Sequence, residues 1–111
     1  MEAIPREVRY LQDADEYSPF KNWLARQTSD VRGLISIRLR KVSSGNLGDI
    51  KPVGGKVYEL RFIEGPGWRV YIAQMPKVIY VLGGGMKRGQ QGDIDAAIEF
   101  WSKNGDQIHI V

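Results

Sequence analysis

Arg61 and Arg69 stand on either side of Glu64-Gly65-Pro66-Gly67, and apolar residues alternate outward from that turn: Phe62, Leu60 and Tyr58 one way, Trp68, Val70 and Ile72 the other. The pattern predicts a β-hairpin. An odd-numbered loop pairs Phe62 with Trp68, Leu60 with Val70 and Arg61 with Arg69, which keeps one face wholly apolar. A slip of one residue would mix the faces. Like charges directly opposite each other repel, so two facing guanidinium groups predict an anion between them. Guanidinium binds phosphate bidentately and stabilises charge that develops on a phosphorane-like transition state. The plainer alternative is a pair of solubilising arginines on a solvent face.

Lys51, Lys56 and Lys87 flank the same predicted sheet. Lysine can serve there as a point charge for phosphate or, with a lowered pKa, as a proton carrier. By parity Tyr71 shares a face with Arg69, which makes it the residue expected to stack on a base. Trp68, Trp23 and Trp101 fall on apolar faces and are expected in the core. His109 is the one histidine, the acidic residues show no metal-ligand spacing, and there is no cysteine, so neither a metal nor a cofactor is expected. Arginine, lysine, tyrosine and glutamine remain. They suit ribonuclease action, in which the substrate's own 2′-hydroxyl is the nucleophile and the protein supplies charge and proton transfer.

These residues need a scaffold. Residues 6–12 alternate and predict a first strand. Ser18-Pro19 is an N-cap with proline at the first helical position, opening a helix that carries Phe20, Trp23 and Leu24 to about Gln27. Ser29-Asp30 is read as the cap of a second helix, with Val31, Leu34, Ile35, Ile37 and Leu39, ending at Ser43-Ser44-Gly45. The two should form a helical hairpin. Ile50 to Val53 is a short strand that Pro52 restricts to an edge. Lys56 to Glu64 and Gly67 to Gln74 make the hairpin, and Lys77 to Leu82 is a strand buried on both faces that Gly83-Gly84-Gly85 ends. The glycine run lacks the spacing of a phosphate-binding loop. Asp93 is read as the cap of a last helix with Ile94, Ala97, Ile98 and Trp101 on one face. The expected order is β-α-α-β-β-β-β-α, a single α+β domain over 1–111 with one mainly antiparallel sheet.

The net charge of +3 hides an uneven distribution. Residues 31–92 carry eleven basic and three acidic side chains, while both flanking segments are net acidic. A basic middle favours a polyanionic partner. No run of apolar residues is long enough for a transmembrane helix, the N-terminal residues do not read as a signal peptide, and the expected location is cytoplasmic.

Four blocks, in order, resemble the RelE/ParE toxin superfamily, in particular the phage-derived addiction module killer branch of HigB-like toxins. They are Phe20, Trp23 and Leu24 in F-x-x-W-L; Gly45 to Gly54 (GNLGDIKPVG); Glu59-Leu60-Arg61 with Gly65 to Tyr71 (GPGWRVY); and Gly84-Gly85-Met86-Lys87 with Gln90, Gln91, Asp93 and Ile94. Met86 departs from the aspartate usual before that lysine, and Trp68 from the usual tyrosine. The resemblance implies a small sheet flanked by a helical hairpin and a final helix. It implies a toxin of a type II toxin–antitoxin system that cuts mRNA on the ribosome without metal, leaving a 2′,3′-cyclic phosphate. Arg61, Arg69 and Lys87 would then be catalytic, and Lys51, Lys56, Tyr71, Arg88 and Gln91 would contact RNA. The toxin alone would be monomeric, and a cognate antitoxin, commonly a helix-turn-helix protein, would join it in a hetero-oligomer. Two alternatives stay open: a non-enzymatic toxin of the same fold that binds DNA gyrase, and a decayed toxin that only binds RNA.

Overall fold

The computed structural model of the protein describes residues 4–105. The short tail read from 106 to 111, with His109, lies outside the described residues. The elements run β1 (Glu7–Tyr10), α1 (Pro19–Ala25), α2 (Ser29–Ser43), β2 (Ile50–Gly54), β3 (Val57–Arg61), β4 (Trp68–Gln74), β5 (Val78–Met86) and α3 (Gln90–Asn104). The class is α+β, with three helices on a mixed five-stranded sheet of order β1-β5-β4-β3-β2. β2, β3, β4 and β5 pair antiparallel, and β1 joins β5 in parallel. Pro52 lies on β2, an edge strand, where its missing N–H breaks no interior ladder. No helix among the described residues is long and apolar enough to cross a membrane.

Each face of the sheet carries its own core, as the period-2 alternation of strands requires. On one face Leu60, Phe62, Val70, Ile72, Ile79 and Val81 pack against Phe20 of α1 and Ile35, Leu39 and Val42 of α2. On the other face Val57, Tyr71, Ala73, Tyr80 and Leu82 pack against Ile94 and Ala97 of α3. The face that carries Arg61 and Arg69 is therefore partly covered by α3, and is not the open solvent face of the plainer alternative.

Local chemistry sets the helix starts. The Ser18 hydroxyl accepts from Lys21 N–H at 3.1 Å and Pro19 follows as the first helical residue. α2 is capped by Thr28, whose Oγ1 accepts from Val31 N–H, one residue earlier than expected. α3 begins at Gln90 after a left-handed Gly89 that offers no side-chain cap, so Asp93 lies in its first turn and is not its cap.

The glycine run does not end β5. The strand continues through Gly83, Gly84 and Gly85 to Met86, paired along its length with β4. Close approach explains the residue type. A Cβ on Gly84 would enter the Trp23 ring from one face, and a Cβ on Gly85 would enter the Asp93 carboxylate from the other. Gly84→Ala is expected to cost about 1–3 kcal/mol, the usual toll of overpacking against a rigid ring. Gly33→Ala, in an exposed part of α2 with nothing within 4 Å of the added methyl, should instead raise stability by about 0.5–1 kcal/mol. Urea denaturation of both variants checks the pair.

Candidate phosphate-binding site

The hairpin register is the one its alternation demands: Leu60 faces Val70, Arg61 faces Arg69, and Gly85 of β5 completes the row. Phe62 N–H donates to the Trp68 carbonyl at 3.1 Å, closing the strand end. The two guanidinium groups nonetheless lie in different surroundings. Arg61 is half-exposed and binds Asp49, with Nη2 at 2.9 Å and Nε at 3.2 Å from Oδ1. Arg38 of α2 fixes that corner: its guanidinium donates to the carbonyls of Arg61 (2.7 Å), Asp49 (2.9 Å) and Leu47 (3.2 Å). It also lies over the Phe62 ring at 4.8 Å from the centroid. Burial of this group lowers its pKa against the pull of Asp49.

Arg69 is buried. Its Nε lies 3.6 Å from Oε1 of Glu59, which has no exposed surface. That spacing makes an ion pair without a hydrogen bond, and both atoms lack a hydrogen-bond partner. Arg69 Nη1 donates to the Trp68 carbonyl at 3.0 Å, and Gln90 at the start of α3 donates its amide to the other Glu59 oxygen. The anion expected between the arginines is thus supplied by the chain: Asp49 serves Arg61 and Glu59 serves Arg69.

Tyr71 corrects the expectation of a base-stacking residue. It is fully buried beneath α3, and no ring face is free for a base. Its hydroxyl makes no hydrogen bond, and burial, reinforced by the charges of Glu59 and Asp93, raises its pKa strongly. Asp93, wedged against Gly85, is also raised by burial. Trp68 and Trp23 are only partly buried and meet edge-on at 6.1 Å.

Lys87 joins the arginine end of the sheet. Its N–H donates to the Gly67 carbonyl at 2.9 Å, and a Cβ on Gly67 would lie between the Lys87 side chain and Arg69 Nη1. Gly67 has φ +77, open to glycine and strained for any larger residue. Arg88 is exposed just beyond, and Lys51 is exposed on β2 opposite Glu59. Gln91 faces solvent and donates to Asp95 at 2.9 Å; the inward-reaching glutamine is Gln90. Lys56 sits in the β2–β3 turn at the other end of the strand, roughly 16 Å from Arg61 by strand rise, and is not part of the cluster.

Beside this cluster a cleft of about 700 Å³ runs between α1 and α3, floored by Gly83, Gly84 and Gly85 and walled by Trp23, Trp68, Ala96 and Phe100.

No family model matches the chain. Over 80 residues, 70% of this chain and 81% of the relative, it is 38% identical to a Haemophilus influenzae protein described as uncharacterized. The chain belongs to the family of that protein.

Sequence reasoning gave no site role to four residues that the fold brings to the cluster or its cleft: Asp49, Glu59, Gln90 and Trp23, the last expected only in the core. Glu59 had a signal, since it shares parity with Arg61 and lies two residues away. Nothing in the sequence marked which helix would cover it. Tyr71→Phe removes a buried hydroxyl without a partner, so stability at neutral pH should hold or rise by up to about 1 kcal/mol. Above pH 10.0, the ordinary tyrosine value, the unfolded chain releases this proton first. Wild-type stability therefore falls as pH rises further, and the phenylalanine variant should lack that part of the fall. Urea denaturation at neutral pH and near pH ~11 measures both.

Proposed function

We propose that this protein is the toxin of a type II toxin–antitoxin pair of the RelE/ParE superfamily, a metal-independent endoribonuclease that cuts mRNA on the ribosome in the cytoplasm. The observation that carries the reading is the cross-strand pairing of Arg61 with Arg69, with Lys87 seated beside them over Gly67. Three cations at one end of a sheet suit a phosphodiester, and a helix-turn-helix antitoxin would be the partner that silences them. Arg61 and Lys87, which reach solvent, would hold the scissile phosphate. Arg69 behind them would add positive potential, with Glu59 fixing its guanidinium. Attack of the 2′-oxygen on phosphorus breaks the bond to the 5′-oxygen and leaves a 2′,3′-cyclic phosphate. The exposed Asp49 carboxylate beside Arg61 is the available acceptor for the 2′-proton, and Lys87 the available donor to the leaving oxygen. Lys51, Arg88 and Gln91 would line the RNA path.

One observation favours a second reading, a gyrase-binding toxin or an RNA binder without cleavage: each arginine already has a carboxylate partner. Mapping mRNA 5′ ends after incubation with translating ribosomes separates the readings. Wild-type protein is expected to create new ends, and Arg61→Ala or Lys87→Ala to slow their appearance by about 10²-fold or more with the fold intact. Arg69→Ala is a poor probe, because it leaves Glu59 buried and unpaired at about 3–5 kcal/mol; Arg69→Lys keeps the charge. Intact transcripts and unimpaired protein synthesis with wild-type protein would refute the ribonuclease reading. Inhibition of supercoiling that survives Arg61→Ala would support the gyrase alternative.

A further inference from the structure

Glu59 is shared unequally between two donors. Gln90 Nε2 donates a close hydrogen bond to its Oε2, whereas Arg69 Nε stays 3.6 Å from Oε1 and bonds nothing. A full guanidinium–carboxylate bond closes to about 2.7–2.9 Å, so the stronger of the two donors is the one held at a distance. The rest of Arg69 shows which way it is held. Nη1 donates to the carbonyls of Trp68 at 3.0 Å and Phe62 at 3.4 Å, at the strand ends beside the hairpin turn. Nη2 makes no hydrogen bond among the described residues, yet it is not sealed from solvent as Nε is. Both terminal nitrogens lie beside Gly67, next to the Lys87 side chain.

We propose that Gln90 is a positioning residue for the cationic cluster: by holding Glu59 it keeps that carboxylate from closing on Arg69 Nε, and so leaves the guanidinium turned toward Lys87 and a bound phosphate. The role rests on the phosphate-binding reading of Arg61, Arg69 and Lys87. Gln90 reaches both supports of the cluster. Its side chain holds Glu59, and its backbone N–H donates to the Lys87 carbonyl at 3.3 Å, while Lys87 N–H donates to the Gly67 carbonyl at 2.9 Å. An amide suits the position because it donates without charge. A lysine there would pair with Glu59 outright, and an ionised carboxylate would repel it. Around Glu59 stand its strand neighbour Arg61, Lys51 of β2, Arg69 and Tyr71 of β4 and, beyond Tyr71, Asp93 of α3. With Gln90 removed, Glu59 turns to Arg69 Nε, and the hydrogen bond that forms draws the guanidinium inward, away from the phosphate.

The Nε–H proton of Arg69, followed by NMR in the whole protein, reports this directly, with inorganic sulfate as the phosphate probe because its charge is constant with pH. Gln90→Ala should move that resonance downfield, slow its exchange with water and weaken sulfate binding about tenfold, the worth of roughly one hydrogen bond. Gln90→Glu carries the test of sign. Two carboxyl groups at this spacing share a proton, and burial and like charge raise the titration of the pair. While the proton is held, the new carboxyl donates to Glu59 as the amide does, and sulfate binding should match wild type. As pH rises through the titration of the pair, binding should fall. Asp93 titrates in both proteins, so the difference between the two pH profiles is the reading, and it holds even where Gln90→Ala fails to fold. A merely structural Gln90 predicts lower thermal stability with Arg69 Nε–H unmoved, sulfate affinity unchanged and no extra pH dependence; that result would overturn the role of Gln90 alone. Absence of sulfate binding by the wild-type protein would overturn the phosphate-cluster reading together with it.

Discussion

Glu59 is a carboxylate without access to water, set in an interior strand of the sheet, and the fold is arranged around it. An unpaired charge in that position would be intolerable. Arg69 on the neighbouring strand supplies the counter-charge, and Gln90 at the start of α3 supplies a hydrogen bond. The pairing of β3 with β4 and the seating of α3 are therefore linked through one side chain. A register slip of one residue would turn Glu59 into the core formed by Leu60, Phe62 and Val70. The ion pair adds little net stability, because desolvation offsets much of its attraction, but it makes alternative registers costly.

The same helix determines what the cationic end can do. α3 covers Glu59, Tyr71 and most of Arg69, and leaves Arg61 and Lys87 in contact with solvent. Phosphate chemistry at this end thus falls to a surface pair backed by a buried charge. Asp49 and Arg38 hold the surface member in place from the β2 side.

Glycine shapes the adjoining cleft by a separate constraint. With Trp23 pressed against Gly84 and Asp93 against Gly85, α1 and α3 approach the sheet more closely than side chains would permit. A strand edge is left between two helices, with its backbone groups facing the gap. The cluster and the cleft adjoin along β5 and share its end: Met86 and Arg88 line the cleft, while Lys87 between them turns to Gly67 and the cluster.

Much of this was legible in the sequence. Alternation around Gly65-Pro66-Gly67 determined the hairpin and its Arg61–Arg69 register, because a period of two admits one arrangement that keeps Leu60, Phe62, Val70 and Ile72 on one face. Ser18-Pro19 determined where α1 starts, because a side-chain cap and a missing N–H act locally. The α+β class followed from the sequence of periodicities. Only the tertiary structure decided that α3 lies over the arginine face, that Tyr71 is sealed beneath it, that Glu59 and Asp49 each claim one arginine, and that Gly83 to Gly85 continue a strand. Those outcomes depend on contacts between residues far apart in the chain. A strand pattern states which side chains share a face, but not which face a distant helix will cover.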